Sequence, residues 1–384
     1  MRDLERRGVR VIGVDCVPEN PGFRSKYGKS YLCPNPDLDP TEWVAFMRDL
    51  SRKLGSKPVI IAAADMFVDA LGRHADHLGA DYIFSRASVM VQAELGTKEQ
   101  QYALAARVGL PCPHTCYVES IAALDEFCIN ARFPCLLKPL AHREWEALPV
   151  LNPLRGKKVA TAGTAEELRV HYQQVAPIRP RAVVQELVLG ADDAKFCYLS
   201  VYGSNGARLG YCVVHELRCH PIRVGSASIV EPVIDEEIAG ICDGFLRKIN
   251  YVGLCEIEVK RDARDGRVLL IEVNPRFSVT GDCAIYAGVE VGWLHYLDLI
   301  GRAPEPVEAT RLDFRHIVVQ RDAQAFGQYL QAGLTTWGEW LKAYRPPLKF
   351  FDVDFRDWKV TRPNLRRALR SLGGGLLRHW HLRG

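Results

Sequence analysis

The stretch LLIEVNPRF, Leu269 to Phe277, opens like a buried strand yet carries Glu272, Asn274 and Arg276. Successive strand residues point to opposite faces, so these three share one face. Upstream, GLCEIEVKRD sets Glu256, Glu258 and Lys260 at the same spacing. Between the two runs lies ARDGR, whose Asp265-Gly266 pair is a strong turn signal, so the runs form a hairpin. With the turn centred on Asp265, Glu258 faces Glu272 and Glu256 faces Asn274; a small slip of register leaves the acidic strands adjacent. Opposed carboxylates repel, and a sheet tolerates them when something positive lies between. Two carboxylates and an amide oxygen are hard ligands of the kind magnesium takes alongside phosphate oxygens. Arg276 on the same face offers a rigid fork for phosphate or a developing oxyanion. The same residues also fit the solvent face of an amphipathic hairpin, neutralised by cross-strand pairs. Pro275, which removes a ladder donor, and the small, turn-rich SVTGDCAIYAGV after Phe277 weigh towards a ligand.

Two earlier strands fit a nucleotide. FPCLLKP holds Lys138 in an apolar run, where an ammonium needs an anionic partner or must snorkel to water. VVQELVLG places Gln185 and Glu186 in another apolar strand that ends on a glycine. Backbone groups of such a segment can pair with an adenine edge while a carboxylate takes ribose hydroxyls. An exposed strand residue is the plainer reading of Glu186.

In this order, Lys98 in LGTKEQ, Lys138 in LLKP, VVQELVLG, Glu258 in CEIEVKRD and IEVNPRF resemble the ATP-grasp superfamily. Within it the chain is most similar to the carboxylate–amine ligase branch, which includes D-aspartate ligase-like enzymes. The likeness spans about residues 1–300. It implies a chain of α/β and α+β class: a Rossmann-like pre-ATP-grasp domain, then a two-lobed ATP-grasp fold. The implied ranges are 1–90 for the first domain and 91–303 for the ATP-grasp domain, with lobes at about 91–180 and 181–303. Residues 304–384 form a C-terminal extension. The resemblance further implies ATP and two magnesium ions, or manganese, as cofactors. Lys138 would contact the α and β phosphates and Lys98 would act on the phosphate side. Gln185, Glu186, Leu187, Val188 and Leu189 would form the adenine hinge. Glu258, Glu272 and Asn274 would hold the metal, and Arg276 would steady the transferred phosphate. Arg218, in HELRCHPIRVGSAS, falls where the superfamily places substrate or phosphate contacts, and a solvated basic strand is the competing reading. In such enzymes a carboxylate attacks the γ-phosphate and an amine captures the resulting acyl phosphate, with ADP and phosphate released. One departure stands out. The glycine-rich phosphate loop expected after the lysine is replaced by LAHREWEALPVLNPLRGKK, where His142, Arg143, Lys157 or Lys158 would take its place.

Several elements must position these residues. A helix end at residues 1–9 leads into the strand VRVIGVD, then KPVIIAAAD, a helix after Asp65 and a short strand DYIF. That is a doubly wound pattern whose opening strand and glycine-rich turn are missing. SVMVQAELGTKEQQYALAARVGL has helical periodicity and stops at Gly109. Further strands are expected at HTCYV, FPCLLKP and RAVVQELVLG, with helices near 120–131 and 164–175. Residues 195–230 read as antiparallel strands turning at GSNG, and a helix runs from about Asp235 to Asn250.

Composition bounds the function. At 384 residues, two or three domains are expected. A net charge of +4 argues for no nucleic-acid partner. No apolar run reaches membrane-helix length, and MRDLERRGVRVIGVD lacks a signal core. The 12 cysteines are scattered, several in apolar runs, with no zinc-site spacing, and read as reduced thiols of a cytoplasmic protein. Small-molecule carboxylate and amine substrates are the expected partners, and an oligomer is compatible with the composition. The tail NLRRALRSLGGGLLRHWHLRG is basic and amphipathic, so contact with an anionic membrane surface competes with self-packing. Its three glycines are expected to interrupt the helix. The competing functions are an ATP-binding regulator or scaffold without turnover and a carbamoyl-forming or biotin-type carboxylase. For the latter the chain shows no biotin-carrier lysine motif and no amidotransferase domain.

Overall fold

The computed structural model describes residues 1–140, 144–157, 159–223 and 225–381, with 374–381 by backbone only. Two compact units emerge. The larger comprises Met1–Leu110, Ala191–Lys260 and Glu272–Gly384; the smaller comprises Pro111–Gly190 and Arg261–Ile271. The smaller unit therefore starts at Pro111 rather than near residue 91, and the helix that carries Lys98 belongs to the larger one.

The N-terminal part of the larger unit holds two parallel strands, β1 (Ile12–Asp15) and β2 (Lys29–Leu32). The expected strand at KPVIIAAAD is reduced to one parallel bridge, Val59 with Ile83. Its run of alanines lacks the branched side chains that suit a pleated surface. The long helix Pro40–Leu54 went unforeseen. Its N-terminus is capped by Asp39, which accepts from the Glu42 N–H, and Gly55 ends it with φ 63°.

The single helix expected around 88–109 is two, Arg86–Ala93 and Lys98–Val108. Apolar spacing continues across the break, but Thr97 restarts the helix with a capping box. Its hydroxyl accepts from the Gln100 N–H at 3.2 Å while the Gln100 side chain accepts from the Thr97 N–H at 3.0 Å. Gly109, φ 81°, terminates the second helix as expected.

The smaller unit is a four-stranded antiparallel sheet of β3 (Thr115–Val118), β4 (Cys135–Lys138), β5 (Ala160–Ala162) and β6 (Ala182–Glu186), in the order β3-β6-β4-β5. Helices Ile121–Asn130 and Ala165–Val175 bury Leu124, Phe127, Leu168 and Tyr172 with Leu137 and Val184 of the sheet. The short β5 carries no apolar alternation long enough to be read beforehand.

The main sheet contains β7 (Lys195–Tyr202), β8 (Arg208–His220), β9 (Ser226–Val233), β10 (Gly253–Arg261), β11 (Val268–Asn274), β12 (Val307–Glu308), β13 (Arg315–Ile317) and β14 (Leu348–Phe350). Its order is β11-β10-β7-β8-β9-β13-β14, with β12 on β8. The turn between β10 and β11 is wider than two residues: the Asp262 N–H donates to Arg267 and the Gly266 N–H to Asp262, with Gly266 at φ 74°. One face carries Leu199 and Val201 of β7, Cys212 and Val214 of β8 and Leu254 of β10 in a core that also holds Cys283, Ala284 and Ala287 of helix Gly281–Ala287 and Leu294 of helix Val291–Leu299. Beyond it, helices Val319–Gln331 and Trp358–His381 pack on each other. The last helix runs unbroken through the three glycines, contrary to expectation. Each glycine costs about 1 kcal/mol of helix propensity, and anchoring of the preceding turns by tertiary packing offsets that cost. All twelve cysteines are free, and no described helix is long and apolar enough to cross a membrane.

Thr97 both restarts the helix and sets Lys98 at its first position. Thr97→Ala is expected to lower stability by about 1 kcal/mol, read as a reduced urea midpoint at unchanged m-value.

Candidate active site

On the core-bearing face of the main sheet, the apolar rows give way to charge. Pairing of β10 with β7 sets Leu254 beside Val201, Glu256 beside Leu199, Glu258 beside Cys197 and Lys260 beside Lys195. Glu256 and Glu258 thus continue the row that begins with buried Leu254, at the strand period of two. The plain reading of this hairpin as a solvent face does not hold, because Glu256 and Asn274 are buried.

Glu256 is hydrogen-bonded on both oxygens. Oε1 accepts from Asn274 Nδ2 at 3.1 Å; Oε2 accepts from Ser278 Oγ at 2.8 Å and from the Thr280 hydroxyl. Burial pushes its carboxyl up to about 7, against the lowering effect of the Ser278 bond. Glu258 accepts from the same Asn274 amide at 3.3 Å. Burial, and then the charges of Glu272, Glu256 and Glu216, push it well above the ordinary carboxylate range, with Lys195 opposing. Buried Glu216 on β8 meets Lys195 Nζ at 2.8 Å and accepts from Cys197 Sγ at 3.4 Å. Burial disfavours charge on Lys195, but the attraction of Glu216, joined by that of Cys219 and Glu258, raises the ammonium above its usual value.

Glu272 lies 3.3 Å from Lys98 Nζ. Arg276 grips Asp65 in a fork, Nε to Oδ1 at 2.5 Å and Nη2 to Oδ2 at 3.0 Å, and donates to Asn274 Oδ1 at 3.1 Å. The structure therefore brings Lys98, Glu258, Glu272, Asn274 and Arg276 together. It keeps Glu256 opposite Asn274, as the hairpin reading has it, and adds Asp65, Lys195, Glu216, Ser278 and Thr280, which spacing within one strand could not supply. A signal existed for one of them: Lys195 is a charged residue opening the apolar run KFCYLSVY, much as Lys138 sits in its apolar strand. Arg321, on helix Val319–Gln331, was also missed. It donates to the Ala227 carbonyl at 2.7 Å. Burial lowers its pKa, while Asp352, Glu216, Glu256 and Glu258 favour its charge.

Among the described residues, no group of three His, Cys, Asp or Glu side chains could hold a metal ion by itself. Magnesium does not require such a cage; it is usually held by one or two carboxylates, waters and phosphates. The carboxylate crowd at Glu258 is what a divalent cation would relieve, so the donor set fits magnesium.

In the smaller unit, Lys138 Nζ donates to Gln185 Oε1 at 2.6 Å, and Gln185 Nε2 donates to Thr115 Oγ1 at 2.8 Å. Gln185 thus orients the lysine from the neighbouring strand. Glu186 differs from expectation. Its carboxylate is buried and accepts from the Arg132 N–H at 2.7 Å and Arg132 Nε at 3.3 Å, which removes it as a ribose ligand. The Leu187 N–H donates to Pro134, the Leu187 carbonyl accepts from Arg264, and the Leu189 carbonyl accepts from Ala263. Val188 lies between them, and its peptide N–H and C=O have no partner among the described residues. His142, Arg143 and Lys158 lie outside the described residues; Lys157 is exposed.

Arg218 is the second correction. It is buried, pairs with fully buried Asp322 and lies over the Trp340 and Tyr344 rings. Asp322 also accepts from Ser228 Oγ at 2.9 Å and Tyr344 OH at 2.6 Å. The guanidinium is a structural tie from β8 to the C-terminal extension and is withdrawn from the catalytic set.

No family model matches the chain. In sequence it is similar to a D-aspartate ligase of Enterococcus faecium (strain Aus0004), 25% identical over 268 residues. The match covers 66% of this chain and 62% of the ligase, so the chain spans less than two thirds of that relative. In structure it is similar to N5-carboxyaminoimidazole synthetase from Staphylococcus aureus, with TM-score 0.61, 12% identity, and coverage of 86% of this chain and 82% of that one. It is also similar to the biotin carboxylase domain of Hydrogenobacter thermophilus 2-oxoglutarate carboxylase, solved with MgADP, ADP and bicarbonate: TM-score 0.60, 14% identity, 82% of this chain and 69% of that one. The fold is the ATP-grasp fold. Within it the chain resembles the carboxylate–amine ligase branch.

If Arg218 is structural, Asp322→Ala strands a buried cation and breaks two further hydrogen bonds. The expected loss is about 3–5 kcal/mol of stability, read by urea unfolding, with nucleotide affinity unchanged below the transition.

Proposed function

We propose that this chain is an ATP-dependent carboxylate–amine ligase that forms an amide bond through an acyl phosphate. The observation that carries the reading is the buried carboxylate crowd around Glu258, tied by Asn274 to Arg276 on an ATP-grasp sheet. Purely structural residues would not concentrate like charge in an apolar face.

In the proposed mechanism Glu258, Glu272 and Asn274 hold magnesium, which when bound neutralises phosphate charge for in-line transfer. Lys138, pre-oriented by Gln185, contacts phosphate oxygens. The unpartnered Val188 peptide suits the donor–acceptor edge of adenine. A substrate carboxylate oxygen forms a bond to the γ-phosphorus as the bond to the β-phosphate oxygen breaks, leaving ADP. An amine then attacks the acyl carbon, the C–O bond to phosphate breaks, and inorganic phosphate departs as the nitrogen loses a proton. Arg276 is held at the acidic face by Asp65, so its orientation is set before substrate arrives. It stabilises the charge that develops on the transferred phosphate and on the tetrahedral centre. Arg321 adds a second cation near the same carboxylates. The likeness to D-aspartate ligase makes a small amino acid the carboxylate to test first. The carboxylase reading rests on likeness of fold at 12–14% identity and is the weaker one.

The test is an ADP-release assay over a matrix of amino acids and amines. Release of ADP and phosphate is expected only when both substrates are present. Glu272→Ala is expected to lower it at least ~100-fold with the circular dichroism spectrum unchanged. AMP and pyrophosphate as products would overturn the acyl-phosphate route. Tight magnesium-ATP binding with no turnover on any pair would favour the regulator instead.

A further inference from the structure

The exposed face of helix Trp358–His381 has a composition that the ligase chemistry does not use. The helix contains no aspartate or glutamate. Its inward side is marked by Thr361, Asn364 and Ala368, buried at helical spacing. Asn364 donates to the Asp352 carbonyl at 2.9 Å. The opposite side presents Trp358, Lys359, Arg362, Arg366, Leu369 and Arg370, all exposed. Their spacing of three and four residues puts them on one stripe. Trp358 and Leu369 are 53% and 69% exposed, and the preceding Phe355 is 73% exposed and stacks on Trp358 with ring centroids 6.4 Å apart.

Acidic groups close in sequence do not neutralise this stripe, because they are engaged elsewhere. Asp357 is buried and accepts from Ser25 Oγ at 2.6 Å and the Lys26 N–H at 3.1 Å. Asp354 accepts from Tyr27 OH at 2.8 Å and Arg6 at 3.2 Å. Asp352 accepts from the N–H groups of Val319 and Gln320, both at 2.8 Å.

Large aromatics held out in water beside cations that have no ion pair among the described residues are unfavourable for a free surface and complementary to a membrane interface. There the rings enter the headgroup boundary and the cations meet anionic lipid. Nucleic acid would match the charge, but Leu369 and the paired Phe355–Trp358 rings have no use on a phosphate backbone. We infer that this face docks the protein peripherally on an anionic lipid bilayer.

The experiment is flotation of the full chain with vesicles of phosphatidylcholine mixed with phosphatidylglycerol, and with phosphatidylcholine alone. Recovery is expected only with the anionic vesicles and is expected to fall as salt rises. Each basic residue is worth about fivefold in partitioning, so Arg362→Gln with Arg366→Gln is expected to weaken it roughly 25-fold. Trp358→Ala with Leu369→Ala is expected to weaken binding while leaving its salt dependence intact. These side chains are exposed, so unchanged melting of each variant separates lost docking from lost fold. Equal recovery on both vesicle types, or full binding by both variants, would overturn the inference. So would a preference for duplex DNA or RNA over anionic vesicles at equal salt.

Discussion

Carboxylates that share an apolar sheet face are the constraint around which the larger unit is organised. Glu256 and Glu258 sit where burial disfavours charge, and the neighbouring Glu216 raises the cost of ionising both. A sheet does not place such groups together for stability, since apolar residues of similar size would pack there at lower cost. They persist because every one has a partner. Asn274 bridges Glu256 and Glu258, Ser278 and Thr280 bond Glu256, and Lys195 pairs with Glu216. Glu272 adds a further carboxylate beside Glu258, 3.3 Å from Lys98 Nζ.

That cluster of carboxylates depends on distant chain segments. The apolar half of the same face is sealed by helices Gly281–Ala287 and Val291–Leu299, so the hairpin is held rigidly where the charged half begins. The N-terminal part lends Asp65, which orients Arg276 from 211 residues away in sequence. A helix restarted by Thr97 lends Lys98. The C-terminal extension lends Arg321 and also provides Asp322, which holds Arg218 down. Placement of the acidic face thus rests on side chains contributed by all parts of the larger unit.

The hairpin was legible because its signal is local. A period of two, a strong turn pair and charges out of place in apolar runs survive in any strand pairing. Lys138 and Gln185 stood out for the same reason, and the structure pairs the lysine with the Gln185 amide of the neighbouring strand. The misreadings share the opposite cause. Arg218 and Glu186 look like ligands by position, and only their burial and their partners Asp322 and Arg132 show that they are structural. Apolar spacing ran through the break before Thr97 because periodicity measures faces and does not register caps. The tail glycines misled because propensity was weighed without the packing that outweighs it.

By itself the sequence determined the ATP-grasp order of motifs, the shared face of Glu258, Glu272, Asn274 and Arg276, and the absence of acid from the last helix. These follow from spacing along one strand or helix, where geometry is set by neighbouring residues. Only the tertiary structure decided which charges are available. It gave Glu186 to Arg132 and Arg218 to buried Asp322, added Glu216, Lys195 and Arg321 to the acidic face, and turned Asp352, Asp354 and Asp357 away from the basic stripe. Whether a charge is free to act depends on its partner and its burial. Both are set by segments far apart in the chain, which local spacing cannot encode.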